Sequence, residues 1–130
     1  MKTAYVAGKF GFANAVEVQR IQELLLDECG LECEFDWTHE IVTGPEDGPW
    51  LASKEIGAAQ EADVFVLLWH PNLLGGLIEL GAAIAANRLY GGAPTVFVYA
   101  PKRSSIFWDL PRVKIVDDDA ELVREVKKCL

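Results

Sequence analysis

The stretch that decides the fold runs from residue 63 to residue 69 and reads Asp-Val-Phe-Val-Leu-Leu-Trp. After Asp63 it is apolar without alternation, which is typical of a strand that is buried on both faces in a parallel sheet. Four further stretches have the composition of strands. They are 3–7, 31–37, 95–100 and 113–116.

Four stretches with helical spacing of apolar residues lie between and after these strands. They are 14–29, 49–61, 77–89 and 117–130. Strands that alternate with helices predict a parallel sheet with right-handed crossovers. We therefore expect one α/β domain over residues 1–130, a three-layer α/β/α sandwich. Its five-stranded parallel sheet would be flavodoxin-like or Rossmann-like.

The position of a residue in a connecting segment indicates whether it can be functional. Loops are predicted at 43–49, 70–76 and 102–111. Ligands in such folds bind outside the carboxyl ends of the strands. Asp63 begins its strand, so it is expected to cap or pair at the opposite edge. The aspartates at 117–119 are interpreted as a helix start with one cap, because Asp favours the positive end of a helix.

Charge and composition exclude several classes of function. The chain has 130 residues, and its 20 acidic and 12 basic residues give a net charge of -8. A nucleic-acid polymer is not an expected partner, because such proteins need clustered basic residues. No apolar run approaches the roughly 20 residues that cross a bilayer, and no signal peptide is recognised. The three cysteines are interpreted as reduced thiols of a cytoplasmic protein without a metal site.

The first loop, at 8–14, reads Gly-Lys-Phe-Gly-Phe-Ala-Asn. It matches neither the G-x-G-x-x-G loop of dinucleotide-binding proteins nor the P-loop. No cofactor is therefore expected. Gly8 and Gly11 can equally be explained as turn residues.

The loop after the most buried strand carries more information. Residues 70–83 read His-Pro-Asn-Leu-Leu-Gly-Gly-Leu-Ile-Glu-Leu-Gly-Ala-Ala. Gly75 and Gly76 allow a backbone to approach a ligand closely. Glu79 is placed in the first turn of the following helix, where the helix dipole favours its ionised form. From the spacing alone, stabilisation of the helix start is the alternative role for Glu79.

The chain resembles the nucleoside 2-deoxyribosyltransferase family and its relatives, the deoxynucleoside 5'-monophosphate N-glycosidases. The resemblance covers most of the chain. It rests on Tyr-Val-Ala-Gly at 5–8, on Ala-Asp-Val-Phe-Val at 62–66 and above all on Gly-Gly-Leu-Ile-Glu-Leu-Gly-Ala-Ala at 75–83. The last of these is similar to the family's G-x-x-x-E-L-G-x-A signature.

The resemblance implies which residues are catalytic. Glu79 matches the family's nucleophile, which attacks the anomeric carbon and forms a glycosyl ester that another base or water resolves. Tyr5 matches the family's tyrosine near the nucleophile, and Gly8 matches the glycine that follows it. Glu55 takes the position of an upstream aspartate that helps the base to leave, and the alternative is a residue of a solvated helix face.

Several substrate-binding positions depart from the family's pattern. Asn72 and its neighbour Leu73 stand where an aspartate would hold the 5'-hydroxyl or a serine would hold phosphate. Phe10 stands where the hydrolases have a phosphate-binding arginine, and Lys9 is its possible substitute. Nucleosides and nucleotides therefore both remain candidate substrates.

Aromatic and histidine side chains complete the predicted site. Trp37, at the end of the second predicted strand, is a candidate for lining the base pocket. His70 follows the third predicted strand and is a candidate acid–base group, and the alternative for it is an exposed loop residue. The resemblance implies a homodimer or higher oligomer whose neighbouring subunit contributes from the loop after the fourth strand. Trp108 and Asp109 lie in that loop, where the aromatic side chain would form an interface or stack on a base.

Three functions remain open from the sequence. The first is cleavage or transfer at the N-glycosidic bond of a nucleoside or nucleotide. The second is a non-catalytic nucleotide-binding module of the same fold. The third is a glycohydrolase of NAD or of a cyclic nucleotide.

Overall fold

Strands and helices alternate through the computed structural model, which describes residues 2–40, 47–89, 91–100, 110 and 112–130. The strands are β1 (Ala4–Ala7), β2 (Val64–Leu68), β3 (Thr95–Tyr99) and β4 (Val113–Val116). The helices are α1 (Phe12–Cys29), α2 (Asp47–Glu61), α3 (Gly75–Leu89) and α4 (Asp119–Lys128). A short 3-10 helix spans Trp37–His39. No helix in these ranges is long and apolar enough to cross a bilayer.

The four strands form one parallel sheet in the order β1-β2-β3-β4. Tyr5 is in register with Phe65, and Phe65 with Val96. All three side chains are almost completely buried. Helix α1 packs against α4, and α2 against α3, so that the sheet lies between two helical layers. This confirms the predicted α/β sandwich with a parallel sheet.

The predicted strand count is wrong, because the sheet has four strands among the described residues rather than five. The segment 31–37 meets the sheet at a single parallel bridge between Thr3 and Glu32. The alternation of apolar and polar residues in this segment reflects burial of side chains instead, since Leu31 and Trp37 lie in the core. Alternating burial without a hydrogen-bonded ladder cannot be distinguished from a strand in the sequence.

A turn and a side chain explain why the segment leaves the sheet. The Asp36 carboxylate accepts the backbone N–H of Thr38 at 3.0 Å and starts the 3-10 helix. The indole N–H of Trp37 then donates to the carbonyl of Val6 at 2.8 Å. The indole of Trp37 thus occupies the carbonyl of Val6, which a neighbouring strand would otherwise use as a hydrogen-bond acceptor.

Three helices begin earlier than their sequence patterns predict. Helix α1 begins at Phe12 rather than Asn14. Helix α2 begins at Asp47 rather than Pro49, so residues 47–49 are helical and not loop. Proline is tolerated there because first-turn N–H groups need no intrahelical acceptor. Helix α3 begins at Gly75 rather than Leu77, which places Glu79 in the second turn and not the first.

Two aspartates have the structural roles expected of them. Asp118 caps α4 by accepting the backbone N–H of Glu121 at 2.8 Å. Asp63 lies at the amino edge of the sheet, where its carboxylate accepts the N–H of Thr3 at 2.8 Å. Both contacts stabilise the ends of elements, and the one made by Asp63 lies at the edge of the sheet opposite the predicted site.

Gly8 fixes how closely α1 approaches the end of β1. A Cβ atom at Gly8 would lie 2.8 Å from a methyl group of Val18, a buried side chain of α1. We expect Gly8→Ala to lower the free energy of unfolding by about 1–3 kcal/mol, because the core has no room for the methyl group. Denaturant unfolding measures this effect. Gly57→Ala is the control, since nothing lies within 4 Å of that position; an equal loss in both variants would contradict the explanation.

Candidate active site

The carboxylate of Glu79 lies at the carboxyl edge of the sheet, beneath a cleft. It projects from the second turn of α3, and only 6% of the residue is exposed. The hydroxyl of Tyr5, on β1, donates a hydrogen bond to Oε1 of Glu79. The ring of Tyr5 stacks on Phe65 with its centroid 6.0 Å away, so the hydroxyl is held in place by the core.

Burial gives Glu79 an unusual acidity. Burial raises the pKa of Glu79 to about 7. The hydrogen bond from Tyr5 lowers this pKa, and the nearby negative charge of Glu55 raises it. Burial and the carboxylate of Glu79 raise the pKa of Tyr5 well above its usual range. Tyr5 is therefore a hydrogen-bond donor at neutral pH and favours the ionised form of Glu79.

A second carboxylate faces the same cleft from α2. Glu55 is half-buried, and this burial raises its pKa. Both carboxyl groups thus hold protons more strongly than exposed glutamates do. Two neighbouring carboxyl groups in unlike surroundings can take the separate roles of nucleophile and proton donor that acid-assisted glycosidic cleavage requires.

The cleft has a volume of about 280 Å³. Most of the predicted site residues line it. They are Gly8, Lys9, Phe10, Trp37, Glu55, Asn72, Gly75, Gly76 and Glu79. Tyr5 lies below it, bound to Glu79. Trp108 and Asp109 are outside the described residues.

Two aromatic rings form one side of the cleft. The ring of Phe10 stacks on Trp37 with centroids 6.2 Å apart and an interplanar angle of 27°. Trp37 is buried and anchored to β1 through its indole N–H, whereas Phe10 is 69% exposed. The cleft thus presents an exposed outer ring that stacks on a buried, hydrogen-bonded inner ring, a suitable surface for a planar heterocycle.

The two glycines before Glu79 have different roles. Gly76 is buried, and a Cβ there would lie 3.0 Å from Leu73 and 3.1 Å from Leu67. Nothing lies within 4 Å of a Cβ at Gly75, which faces the open cleft. Gly76 is therefore required by packing, and Gly75 is the one that leaves room above the backbone.

His70 turns away from Glu79. It lines a neighbouring cleft, and its Nδ1 accepts the backbone N–H of Asn72 at 3.1 Å. The sequence also missed two apolar residues of the first cleft, Leu51 and Leu74. Leu51 lies four residues before Glu55 on α2, so helical spacing from Glu55 was a signal for it. Leu74 gives no such signal.

Other clefts of the described residues do not contain this chemistry. A cleft of about 360 Å³ lies beside β1 and α2, and one of about 390 Å³ lies between α1 and the 3-10 helix. Neither is lined by Glu79 or Glu55. The smaller cleft is preferred because it joins a carboxyl-edge position to two carboxylates of raised pKa.

Fold and site together define an α/β protein with a buried carboxylate that accepts a hydrogen bond from a tyrosine at the carboxyl edge of its sheet. Among solved structures, the chain is similar to a CMP N-glycosidase of Clostridium botulinum, BcmB, with a TM-score of 0.59 and 19% sequence identity. The match covers 98% of this chain and 99% of that one. At this identity it shows the fold. A scan of protein-family models and a search of curated proteins gave no match.

The structural likeness agrees with the resemblance found in the sequence motifs. Those motifs are similar to nucleoside 2-deoxyribosyltransferases and their hydrolytic relatives, and the solved structure with the same fold is a nucleotide N-glycosidase.

Proposed function

We propose that this protein is an enzyme that cleaves the N-glycosidic bond of a nucleotide or nucleoside, with Glu79 as nucleophile. The observation that carries the proposal is the buried carboxylate of Glu79, held by Tyr5 at the floor of a cleft that Glu55 also faces. The similar solved structure, which is a CMP N-glycosidase, supports the same reaction class.

The reaction proceeds in two steps with both carboxylates. Oε2 of Glu79 attacks C1' of the sugar while Tyr5 holds Oε1, and the bond from C1' to the base nitrogen breaks with its electron pair going to the base. Glu55 gives the leaving base a proton. In the second step, water attacks C1', Glu79 leaves as carboxylate, and Glu55 takes the proton from the water. A free base in place of water would complete a transfer.

Substrate incubation tests this proposal. Nucleosides and nucleoside monophosphates, including CMP, are incubated with the protein, with and without a second free base, and the products are separated by chromatography. We expect base release from at least one of them. Binding of the whole panel without any release or exchange would contradict the proposal and identify a non-catalytic binding module.

Phe10 is proposed to stack on the base. We expect Phe10→Ala to raise KM about tenfold, because stacking on an aromatic ring contributes roughly 1–3 kcal/mol per base. Phe12→Ala is the matched control, since Phe12 is 88% exposed and does not line the cleft. Steady-state kinetics of both variants measure the effect, and an unchanged KM in Phe10→Ala would show that the base lies elsewhere.

We propose a homodimer formed through α3. Leu74, Ile78 and Leu89 lie along one exposed stripe of this helix region, with the small residues Gly81 and Ala85 between them. Light scattering should give twice the chain mass of 14.3 kDa. Ala85→Glu should give a monomer, whereas Ala52→Glu, on the exposed surface of α2, should not. A monomeric wild-type protein would contradict the proposal.

A further inference from the structure

A second cleft adjoins the proposed active site and shares a wall with it. Its volume is about 250 Å³, and Gly8 and Lys9 line both clefts. It lies at the carboxyl edge of the sheet, beside the end of β2 and Tyr99 of β3. The proposed reaction at Glu79 does not use this space.

Lys9 stands between the two clefts with its ammonium group available. The salt bridges within the described ranges use Arg20 and Lys128 as cations and not Lys9. Lys9 is partly exposed and follows directly on Gly8. An anionic group that crosses from one cleft to the other would therefore pass this charge.

The near wall of the second cleft offers further hydrogen-bond donors. Asn14 lines it from the first turn of α1. His70 also lines it, and because its Nδ1 accepts the N–H of Asn72, the neutral ring carries its proton on Nε2. The first turn of α1 contains no acidic residue, and its N-cap, Gly11, has no side chain to accept a hydrogen bond.

The far wall is polar, and the two carboxylates that pair with its single cation outnumber it. Arg20 pairs with Glu17 at 3.2 Å and with Asp119 at 2.5 Å. The hydroxyl of Tyr99 donates to the same Asp119 at 2.7 Å. A wall of this kind suits hydroxyl groups rather than a further phosphate, because its cation is already neutralised.

We infer that the second cleft receives the part of the substrate beyond its first 5'-phosphate, so that the substrate class is a nucleoside 5'-diphosphate or an ester of one. The second phosphate contacts Lys9, Asn14 and His70, and the hydroxyls of an esterified sugar meet the wall formed by Arg20 and Tyr99. This inference rests on the proposed function for the position of the nucleotide.

Binding to an inactive variant tests the inference without turnover. Glu79→Gln is titrated by calorimetry with CMP, CDP and a CDP-linked sugar. We expect CDP to bind about tenfold more tightly than CMP, because charge-assisted hydrogen bonds to the second phosphate are added. Equal affinities, weaker binding of CDP, or no binding of either nucleotide would overturn the inference.

The sugar ester separates two sources of the same diphosphate chemistry. If the CDP-linked sugar binds more tightly than CDP, the far wall recognises the sugar and the ester is the substrate. If it binds as CDP does, the free diphosphate is the ligand of the cleft. If it binds more weakly than CMP, the second cleft does not receive this part of a substrate, and the inference is wrong.

An isosteric variant tests the second cleft itself. Asn14→Asp adds a negative charge in the first turn of α1, where the helix dipole favours it, so the fold is not threatened. In the Glu79→Gln background we expect about five- to tenfold weaker binding of CDP, with less than about twofold change for CMP, because the new charge repels the second phosphate. Gln60→Glu, exposed on α2, makes the same charge change as a control. Equal weakening of CMP and CDP by Asn14→Asp would overturn the inference.

Turnover by the wild-type protein distinguishes this inference from the proposed function. Tighter binding of CDP with an Asn14→Asp effect, but no base release from any nucleotide, would leave the second cleft in place and reject the reaction. Release of base from CMP, with no preference for CDP, would reject the second cleft and leave the reaction in place.

Discussion

Glu79→Gln is expected to reduce base release by roughly a thousandfold or more, because loss of a nucleophile removes the covalent route altogether. Glutamine keeps the shape of the side chain and can still accept the hydrogen bond from Tyr5. The loss would therefore come from chemistry and not from a disturbed cleft. Chromatographic assay of base release at saturating substrate measures it.

The same variant is expected to stabilise the protein above neutral pH. The pKa of Glu79 is about 7 in the folded chain and 4.5 in a model peptide. As the pH rises from 4.5 to 7, the unfolded chain therefore loses this proton before the folded chain does, and the free energy of unfolding falls. A difference of this size corresponds to at most about 3 kcal/mol. Glutamine does not titrate, so it removes this loss.

Thermal unfolding at two pH values checks the effect on stability. At pH 8 Glu79→Gln should melt several degrees above the wild-type protein, and at pH 4.5 the two should melt together. Glu61→Gln, at the exposed end of α2, is the control and should change neither activity nor melting. Full activity in Glu79→Gln, or a melting difference that does not depend on pH, would contradict the assigned role.

The fold was predictable from sequence because its determinants are local. The unbroken apolar run at 63–69 and the helical spacing of apolar residues around it are both visible in the sequence without any tertiary information, and β2 lies within that run. Segment 31–37 fails for a tertiary reason. Whether it joins β1 depends on Trp37 reaching the carbonyl of Val6, across 31 positions of sequence.

The candidate site was predictable only in part. The rule that ligands bind at the carboxyl ends of parallel strands brings the loops after β1 and β2 together, and Tyr5 and Glu79 do meet across 74 positions. The direction of each side chain in those loops is not given by this rule. His70 follows β2 as expected, yet its ring is held towards the neighbouring cleft by the N–H of Asn72.

The second large effect is expected at Tyr5, through the acidity of Glu79. Tyr5→Phe keeps the ring that stacks on Phe65 and removes only the hydroxyl. That hydroxyl lowers the pKa of Glu79, so its loss raises this pKa above about 7. A hydrogen bond to a charged group contributes about 1.5–3 kcal/mol, which corresponds to roughly one to two pH units.

The pH profile of kcat/KM separates this role from a merely structural one. Both the ionised form of Glu79 and the protonated form of Glu55 enter kcat/KM, so the informative quantity is the ratio of kcat/KM in Tyr5→Phe to that in the wild-type protein, from which the titration of Glu55 cancels. The pKa of Glu79 is about 7 in the wild-type protein and one to two pH units higher in Tyr5→Phe (roughly 1.4 kcal/mol each), so this ratio should rise with pH. The variant should be about ten- to a hundredfold less active at pH 6 and close to wild type at pH 9.5. An equal loss at both pH values would mean that Tyr5 supports the cleft only by packing, because a packing defect has no reason to follow the ionisation of Glu79.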